Sequence, residues 1–294
     1  MHDCARIRAG AVKLSLILAT VGRTDEVGRC IHSLIDQTNK NFELLMIDQN
    51  TDNRLLPYAE EARRGGLALR HLRLDRPSLS GARNLGIAES TGELIGFPDD
   101  DCWYEPDTVA QILQPFAIDP TLEGVVACWE EQMRGKRRNP ATGSLSLEAW
   151  RNFRGGDASS ISLFFRRELF DRLSGFDERF GVGRWYGAAE EIDFILRALT
   201  FGARLNHCPA ARVHHLFAPV TSPDALSHHC LNARRRSRGT GGIYGKHHLS
   251  PWVILRGFLS PMYYAISRNG GWKVGFSVSL GRLEGYLRWQ LQER

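Results

Sequence analysis

Between residues 12 and 129, short apolar runs alternate with segments of helical spacing, and two of the runs end in carboxylates. Residues 12–20, 42–47, 67–74, 94–97 and 124–129 each read as a strand. Apolar runs without polar alternation are buried on both faces, the habit of parallel sheets covered by helices. Between them, Val27, Cys30, Ile31, Leu34 and Ile35 recur at helical spacing behind a Thr24/Asp25 N-cap. Residues 79–88 are helix-like, and Pro106-Asp107 opens another helix. The pattern predicts an α/β fold. Ligands of such folds bind beyond the carboxyl ends of the strands, where Asp48 and Asp99-Asp100-Asp101 both stand.

Composition bounds the reading. The 294 residues are 43% apolar and 24% charged, enough for one large or two modest domains with a packed core. Such a chain is too apolar to be disordered. The net charge of +5 is uneven: from Thr221 onward eleven Lys and Arg face three Asp and Glu, leaving the first 220 residues at −3. An acidic-to-neutral body with a basic tail is not the footprint of a general nucleic-acid binder, whose folded domain is itself basic. A basic tail suits an anionic lipid surface or an anionic substrate instead. Cysteines 4, 30, 102, 128, 208 and 230 form no CxxC and no His-paired spacing. That argues against a zinc module or a disulfide framework and for a reducing, cytoplasmic setting. No uncharged stretch reaches the ~18 apolar residues of a membrane span. Residues 14–20 follow Arg6, Arg8 and Lys13 like a leader, but no A-x-A pattern follows, so they read as the first buried strand.

Further along, residues 132–158 read as a surface loop, 161–165 as a strand, 175–181 as a turn and 188–201 as a helix. Residues 232–245 carry Arg234, Arg235, Arg236, Arg238 and four glycines without an apolar period, and read as a mobile loop. Two helices follow, 252–266 and 273–291, the first kinked at Pro261.

Three adjacent carboxylates repel one another and are costly unless solvated or neutralised by a cation. Mg2+ or Mn2+ suits Asp99, Asp100 and Asp101, taking one or two carboxylates and filling its shell with water and phosphate oxygens. Asp48 can accept a hydrogen bond from a base or ribose, or close its strand as an Asx turn. Arg83, in Gly81-Ala82-Arg83-Asn84, can grip a diphosphate bidentately or form an ordinary ion pair. No GK[ST] follows it, and no G-x-G-x-x-G follows the first strand, against a P-loop or dinucleotide site. In Glu190-Glu191-Ile192-Asp193 the first and last carboxylates share a helical face. A helix dipole alone favours acids there, and one beside a metal–diphosphate pocket can act as a general base. His214 and His215, after a short strand at 211–213, point to opposite faces, so at most one joins a metal.

Together these residues resemble the nucleotide-diphospho-sugar transferase (GT-A) fold, and within it glycosyltransferase family 2, over roughly residues 12–217. Leu16-Ile17-Leu18-Ala19-Thr20 with Arg23 is similar to the family's opening strand and T-x-N-R turn, with Gly22 where Asn is usual. Asp48 matches the base-binding aspartate, Ala82-Arg83-Asn84 the A-R-N stretch beside the diphosphate, and Asp99-Asp100-Asp101 the DXD motif. Gly175-Phe176-Asp177-Glu178 resembles the G-F-D-E turn before the acceptor site. Glu190-Glu191-x-Asp193 stands where the family has E-D-x-D/E, with Glu191 in place of the usual catalytic Asp. The resemblance implies Thr20, Arg23, Asp48, Arg83, Asp99 and Asp100 as nucleotide-sugar contacts, and Asp101, Asp99 and His214 as ligands of Mn2+ or Mg2+. The base is then Glu191, Glu190 or Asp193.

The implied fold is a Rossmann-like, mostly parallel sheet flanked by helices, with a C-terminal helical extension. Residues 1–220 form the catalytic unit, with a donor-binding half to residue 120 and an acceptor-binding half beyond it, and 221–294 form the extension. The implied reaction is inverting, metal-dependent transfer of one sugar from a UDP- or dTDP-sugar to a hydroxyl acceptor in bacterial-type polysaccharide or glycolipid assembly. The Q-x-x-R-W signature of processive synthases is absent. Two other readings compete: a sugar nucleotidyltransferase, whose Gly-rich loop and Pro-Lys pair are missing, and a non-catalytic sugar-binding protein. The aromatic and basic tail has the composition of an interfacial segment, as a peripheral enzyme with a lipid-linked acceptor at the inner face of the plasma membrane requires. Two amphipathic helices packed on the body, with snorkelling arginines, would look the same in sequence.

Overall fold

All seven residues of β1 (Leu14–Thr20) are buried. The computed structural model describes residues 12–131, 141–155, 158–216, 223–267 and 271–292; Cys4, Arg6, Arg8 and Arg134 to Asn139 lie outside them. Strand alternation sends Leu14, Leu16 and Leu18 into one core layer and Ile17 and Ala19 into the other. The first layer holds α1 (Asp25–Ile35) and α4 (Thr108–Ile118); the second holds α3 (Leu79–Glu89), α6 (Arg167–Leu173) and α7 (Glu190–Thr200). A sheet covered on both sides explains the unbroken apolar runs.

Around β1 lie β2 (Phe42–Asp48), β3 (Leu69–Arg73) and β4 (Leu94–Gly96), all parallel. The sheet continues through β7 (Leu163–Arg166), β6 (Gly124–Glu131), β8 (Leu205–His215) and the edge strand β5 (Cys102–Tyr104), in the order β3-β2-β1-β4-β7-β6-β8-β5. The second half is mixed: β7 runs antiparallel to β4 and β6, and β5 antiparallel to β8. The parallel half brings Thr20 level with Asp48, so the loops after β1, β2 and β4 open on one edge.

The structure corrects the reading of residues 232–245. They belong to α8 (Pro223–Lys246), a single long helix. Its glycines are contact points. A Cβ on Gly239 would lie 2.0 Å from the Ala188 carbonyl oxygen, and one on Gly241 1.9 Å from that of Arg282. Gly281 and Gly285 of α10 (Trp272–Gln292) approach α8 equally closely, at the carbonyls of Arg234 and Arg238. The missing side chains that hid the helical period permit this backbone-to-backbone packing. Helix α9 (Pro251–Ser267) runs through Pro261. Ile243 of α8 and Trp289 of α10 join the main core. Within the expected loop at 132–158, α5 (Leu147–Arg151) forms behind a Ser146 cap and buries Trp150. Helix α2 (Leu56–Arg64) also escaped the reading, because it buries only Ala59 and Ala62 and shows a weak apolar face.

Glu43 anchors β2 below the sheet. Its Oε1 accepts from Ser15 Oγ (2.6 Å), Thr91 N (2.6 Å) and Thr91 Oγ1 (2.8 Å), and Lys13 Nζ lies 3.3 Å from Oε2. Burial pushes its carboxyl up, but the bonds from Ser15 and Thr91 win and bring it down to about 2. A depressed carboxyl stabilises the folded state above its unfolded value and loses that contribution as pH falls. Glu43→Gln should therefore cost about 1–3 kcal/mol in urea unfolding near neutrality. The difference from the parent should shrink from pH 4.5 towards pH 2.

Candidate active site

The turn after β1 begins the site. Gly22 has φ +77°, in the left-handed region, and its N–H donates to Asn50 Oδ1 at 2.7 Å. Glycine, at the position where asparagine was expected, adopts this conformation freely, and the neighbouring turn supplies an asparagine side chain to its N–H. Thr20 Oγ1 donates to Asp100 Oδ2 at 2.8 Å. Arg23 reaches the same cluster, with Nη2 2.9 Å from Asp101 Oδ2 and Nε 3.5 Å from Asp100 Oδ1.

Asp99, Asp100 and Asp101 occupy the turn between β4 and β5. Burial and the mutual repulsion of Asp99 and Asp100 push Asp100 up to about 6. Burial also raises Asp99, against the pull of Arg83. Asp101 goes the other way: burial opposes, but His215 and Arg23 bring it down. The β5–β8 register explains the histidine, since Cys102 pairs with His215 and Trp103 with His214. His215 Nε2 lies 3.0 Å from Asp101 Oδ1. His214, the expected metal ligand, faces the other way, bonding Glu105 at 2.9 Å and stacking on Trp103. Adjacent strand residues point to opposite faces, and the turn chose the second histidine. One ligand atom each from Asp99, Asp101 and His215 falls within 4.8 Å of the others. Two hard carboxylates and an imidazole, with two of the three aspartates held above their normal range, form a donor set suited to Mn2+ or Mg2+.

A cleft of 820 Å³ opens over this cluster. Arg23, Asp99, Asp100, Asp101 and His215 line one side; Pro77, Ser78, Gly183 and Arg184 line another. Asn232, Arg235 and Arg236 of α8 close it. The arginine run was legible in the sequence, but its place over the cleft depends on α8 being a helix.

Other expected contacts lie behind the wall. Asp48 is fully buried; Oδ1 accepts from the backbone and side-chain amides of Asn50, and Oδ2 contacts His71 Nε2 at 2.9 Å. Its neighbour Gln49 lines the cleft instead, and its Oε1 accepts from Ser78 N at 2.7 Å. Arg83, expected beside a diphosphate, is buried under Phe97 and Phe176 and pairs with Glu190 at 2.7 Å. It ties α3 to α7.

The acids that open α7 are divided in the same way. Glu190 is committed to Arg83. Asp193 is buried among Arg197 (2.8 Å), Lys246 (2.7 Å) and His247 (2.8 Å). Lys246 also reaches Asp177 of the G-F-D-E turn at 2.6 Å, so both acids fasten the end of α8 to the body. Glu191 is half-buried; it follows cleft-lining Gly187 by four residues and lies within reach of the charge of cleft-lining Arg236, without lining the cleft itself. Burial and the charge of Glu190 push its carboxyl up to about 8, against the pull of Arg83 and Arg236. Sequence spacing could not separate the three acids; their partners do.

Removing one member of a buried ion pair leaves a buried charge. Arg83→Met should cost about 3–5 kcal/mol of stability, seen as a large fall in melting temperature. A full-strength melting transition with only weakened nucleotide binding would put Arg83 at the phosphates instead.

The sequence model for glycosyl transferase family 2 matches residues 15–174. The uncharacterized glycosyltransferase EpsJ of Bacillus subtilis is 31% identical over 125 residues, 42% of this chain and 36% of EpsJ. Glycosyltransferase GlyA of Streptococcus pneumoniae is 26% identical over 97 residues, 33% of this chain and 14% of GlyA. The matches thus span little more than a third of either relative's length at most. In fold, the mannosyltransferase PcManGT of Pyrobaculum calidifontis, solved with GDP-Man and Mn2+, superposes with a TM-score of 0.65 at 15% identity, over 97% of this chain and 89% of that one. TarS residues 1–349 of S. aureus, solved with UDP-GlcNAc, gives 0.60 at 16% identity, over 96% and 93%. The GT-A architecture expected from the motifs is therefore present, and the chain belongs to glycosyl transferase family 2.

Proposed function

We propose that this glycosyltransferase moves one hexosyl group, with inversion, from a UDP- or dTDP-sugar to a hydroxyl acceptor in polysaccharide or glycolipid assembly. The observation that carries the reading is Glu191, a carboxyl raised by burial and by Glu190 and acted on by cleft-lining Arg236, while its neighbours Glu190 and Asp193 are committed elsewhere. A raised carboxyl is a better proton acceptor near neutral pH than an ordinary one. Glu191 takes the proton of the acceptor hydroxyl as that oxygen bonds to the anomeric carbon, on the face opposite the departing diphosphate. The sugar passes through an oxocarbenium-like state, and one displacement inverts the centre.

The leaving nucleoside diphosphate needs positive charge. Asp99, Asp101 and His215 are the residues that would hold Mn2+ or Mg2+, which when bound supplies Lewis-acid stabilisation of that leaving group. Arg235 and Arg236 supply the rest. Their neighbours Arg234 and Arg238 pair with Glu284, whereas among the described residues neither cleft arginine has a carboxylate partner. Guanidinium groups lining a cleft without a close ion pair match phosphate oxygens. Arg23, on Asp100 and Asp101, balances the cluster from the β1 side.

Glu191→Gln should lower turnover by about 10²–10⁴ with donor binding retained, and Glu191→Asp should keep most of it. Since the base must be deprotonated, turnover of the parent should rise tenfold per pH unit up to a bend well above the normal glutamate range, near 8. An α-linked donor should give a β-glycoside and release nucleoside diphosphate. Retention, or release of pyrophosphate, would refute the scheme.

Thermal shift separates the binding roles. Manganese alone should stabilise the parent and His214→Ala but not His215→Ala. Arg235→Ala/Arg236→Ala should keep that metal response and lose the additional shift from UDP. A metal response surviving in His215→Ala and lost in His214→Ala would reverse the assignment.

A further inference from the structure

Helices α9 and α10 form an antiparallel hairpin: Ser279 Oγ donates to the Phe258 carbonyl oxygen at 2.7 Å, and Arg282 bonds that of Gly257. The inner surfaces are committed, Gly275 to Pro261 and Ala265, Gly281 and Gly285 to α8, and Trp289 to the main core. The outer surfaces are apolar. Along α9, Trp252 (65% exposed), Leu255, Leu259, Tyr263 (68%) and Ile266 follow one another at spacings of three and four, a single helical stripe. Along α10, Trp272 (61%), Phe276, Leu283, Leu287 and Leu291 (81%) fall at spacings of four, seven, four and four, again on one side of the helix. A soluble surface rarely leaves so continuous an apolar face without a partner.

Charge selects that partner. Residues 251–292 contain five Lys and Arg and one acid, Glu284. That acid is paired inward to Arg234 and Arg238 of α8. The hairpin carries a net +4 by sequence. Arg256, Arg282 and Arg288 turn to the Asn152 and Gly257 carbonyls and the Trp185 ring, and Lys273 stands exposed beside Trp272. A second copy would double that positive surplus, whereas anionic headgroups complement it. Trp252, Tyr263, Tyr264 and Trp272 are all more than half exposed, and Trp and Tyr are the side chains that favour the headgroup level. No described helix is long and apolar enough to cross a bilayer. We propose that the outer face of the α9–α10 hairpin lies in the surface of an anionic membrane, apolar stripes down, without spanning it. On a cytoplasmic leaflet this would set the cleft beside lipid-linked acceptors, but the surface itself stands independently of the reaction assigned to Glu191.

The test is sedimentation of the full chain with vesicles of phosphatidylcholine, alone and mixed with phosphatidylglycerol. Binding should require phosphatidylglycerol and weaken with salt. Tyr263→Glu/Phe276→Glu, two exposed positions, should reduce partitioning by about a hundredfold or more. The same variant should retain the parent's melting temperature and its manganese and UDP shifts, so that loss of binding is not loss of fold or site. The proposal is overturned if the parent stays in the supernatant with both vesicle types. It is equally overturned if the parent forms a dimer that the double variant dissolves, since a second copy would then own the face.

Discussion

Carboxylates crowded at the end of a buried strand set the terms for everything around them. Asp99, Asp100 and Asp101 leave the sheet partly buried on the cleft lining, and burial raises two of the three. Each neighbouring element answers that charge: Thr20 from β1 donates to Asp100, Arg23 from the following turn bridges Asp100 and Asp101, and His215 arrives from β8. Their approach depends on the short antiparallel pairing of β5 with β8, which a purely parallel sheet would not offer. The mixed half of the sheet thus completes a site that the parallel half begins.

The acids at the start of α7 show how identical chemistry is given different roles by partners. Glu190 and Asp193 are built into the frame, one through Arg83 to α3, the other through Lys246 and His247 to the end of α8. Buried ion pairs of this kind fix geometry more than they add stability. They hold the turn around Glu191 from two sides, and Glu191 alone combines partial exposure with a raised carboxyl. The helix that fastens to Asp193 also sends Arg235 and Arg236 over the cleft, so anchoring and site completion come from one element.

Backbone contact between α8 and α10 explains why the C-terminal segment is so glycine-rich. Side chains at Gly241, Gly281 or Gly285 would strike a facing backbone carbonyl. With those positions spent on the helix interface, Trp289 enters the core, Tyr286 packs with Phe258, and an outward stripe runs from Trp272 to Leu291.

The sequence by itself determined the strands around β1, their polar ends and the motif that marks the cleft, because burial on both faces writes an unbroken apolar run and because the carboxylates follow those runs directly. It also carried the family, through short stretches whose residues are adjacent in the chain. Only the tertiary structure decided which acid of Glu190, Glu191 and Asp193 is uncommitted, which of His214 and His215 faces the cluster, and that Arg83 is buried while Arg235 and Arg236 reach the cleft. Those choices rest on partners far apart in sequence and on strand register, which local spacing does not encode. The glycine-rich stretch of α8 failed to read as a helix for a related reason: at its glycines the contacts are close backbone packing against Ala188 and Arg282, which leaves no apolar side-chain period to read.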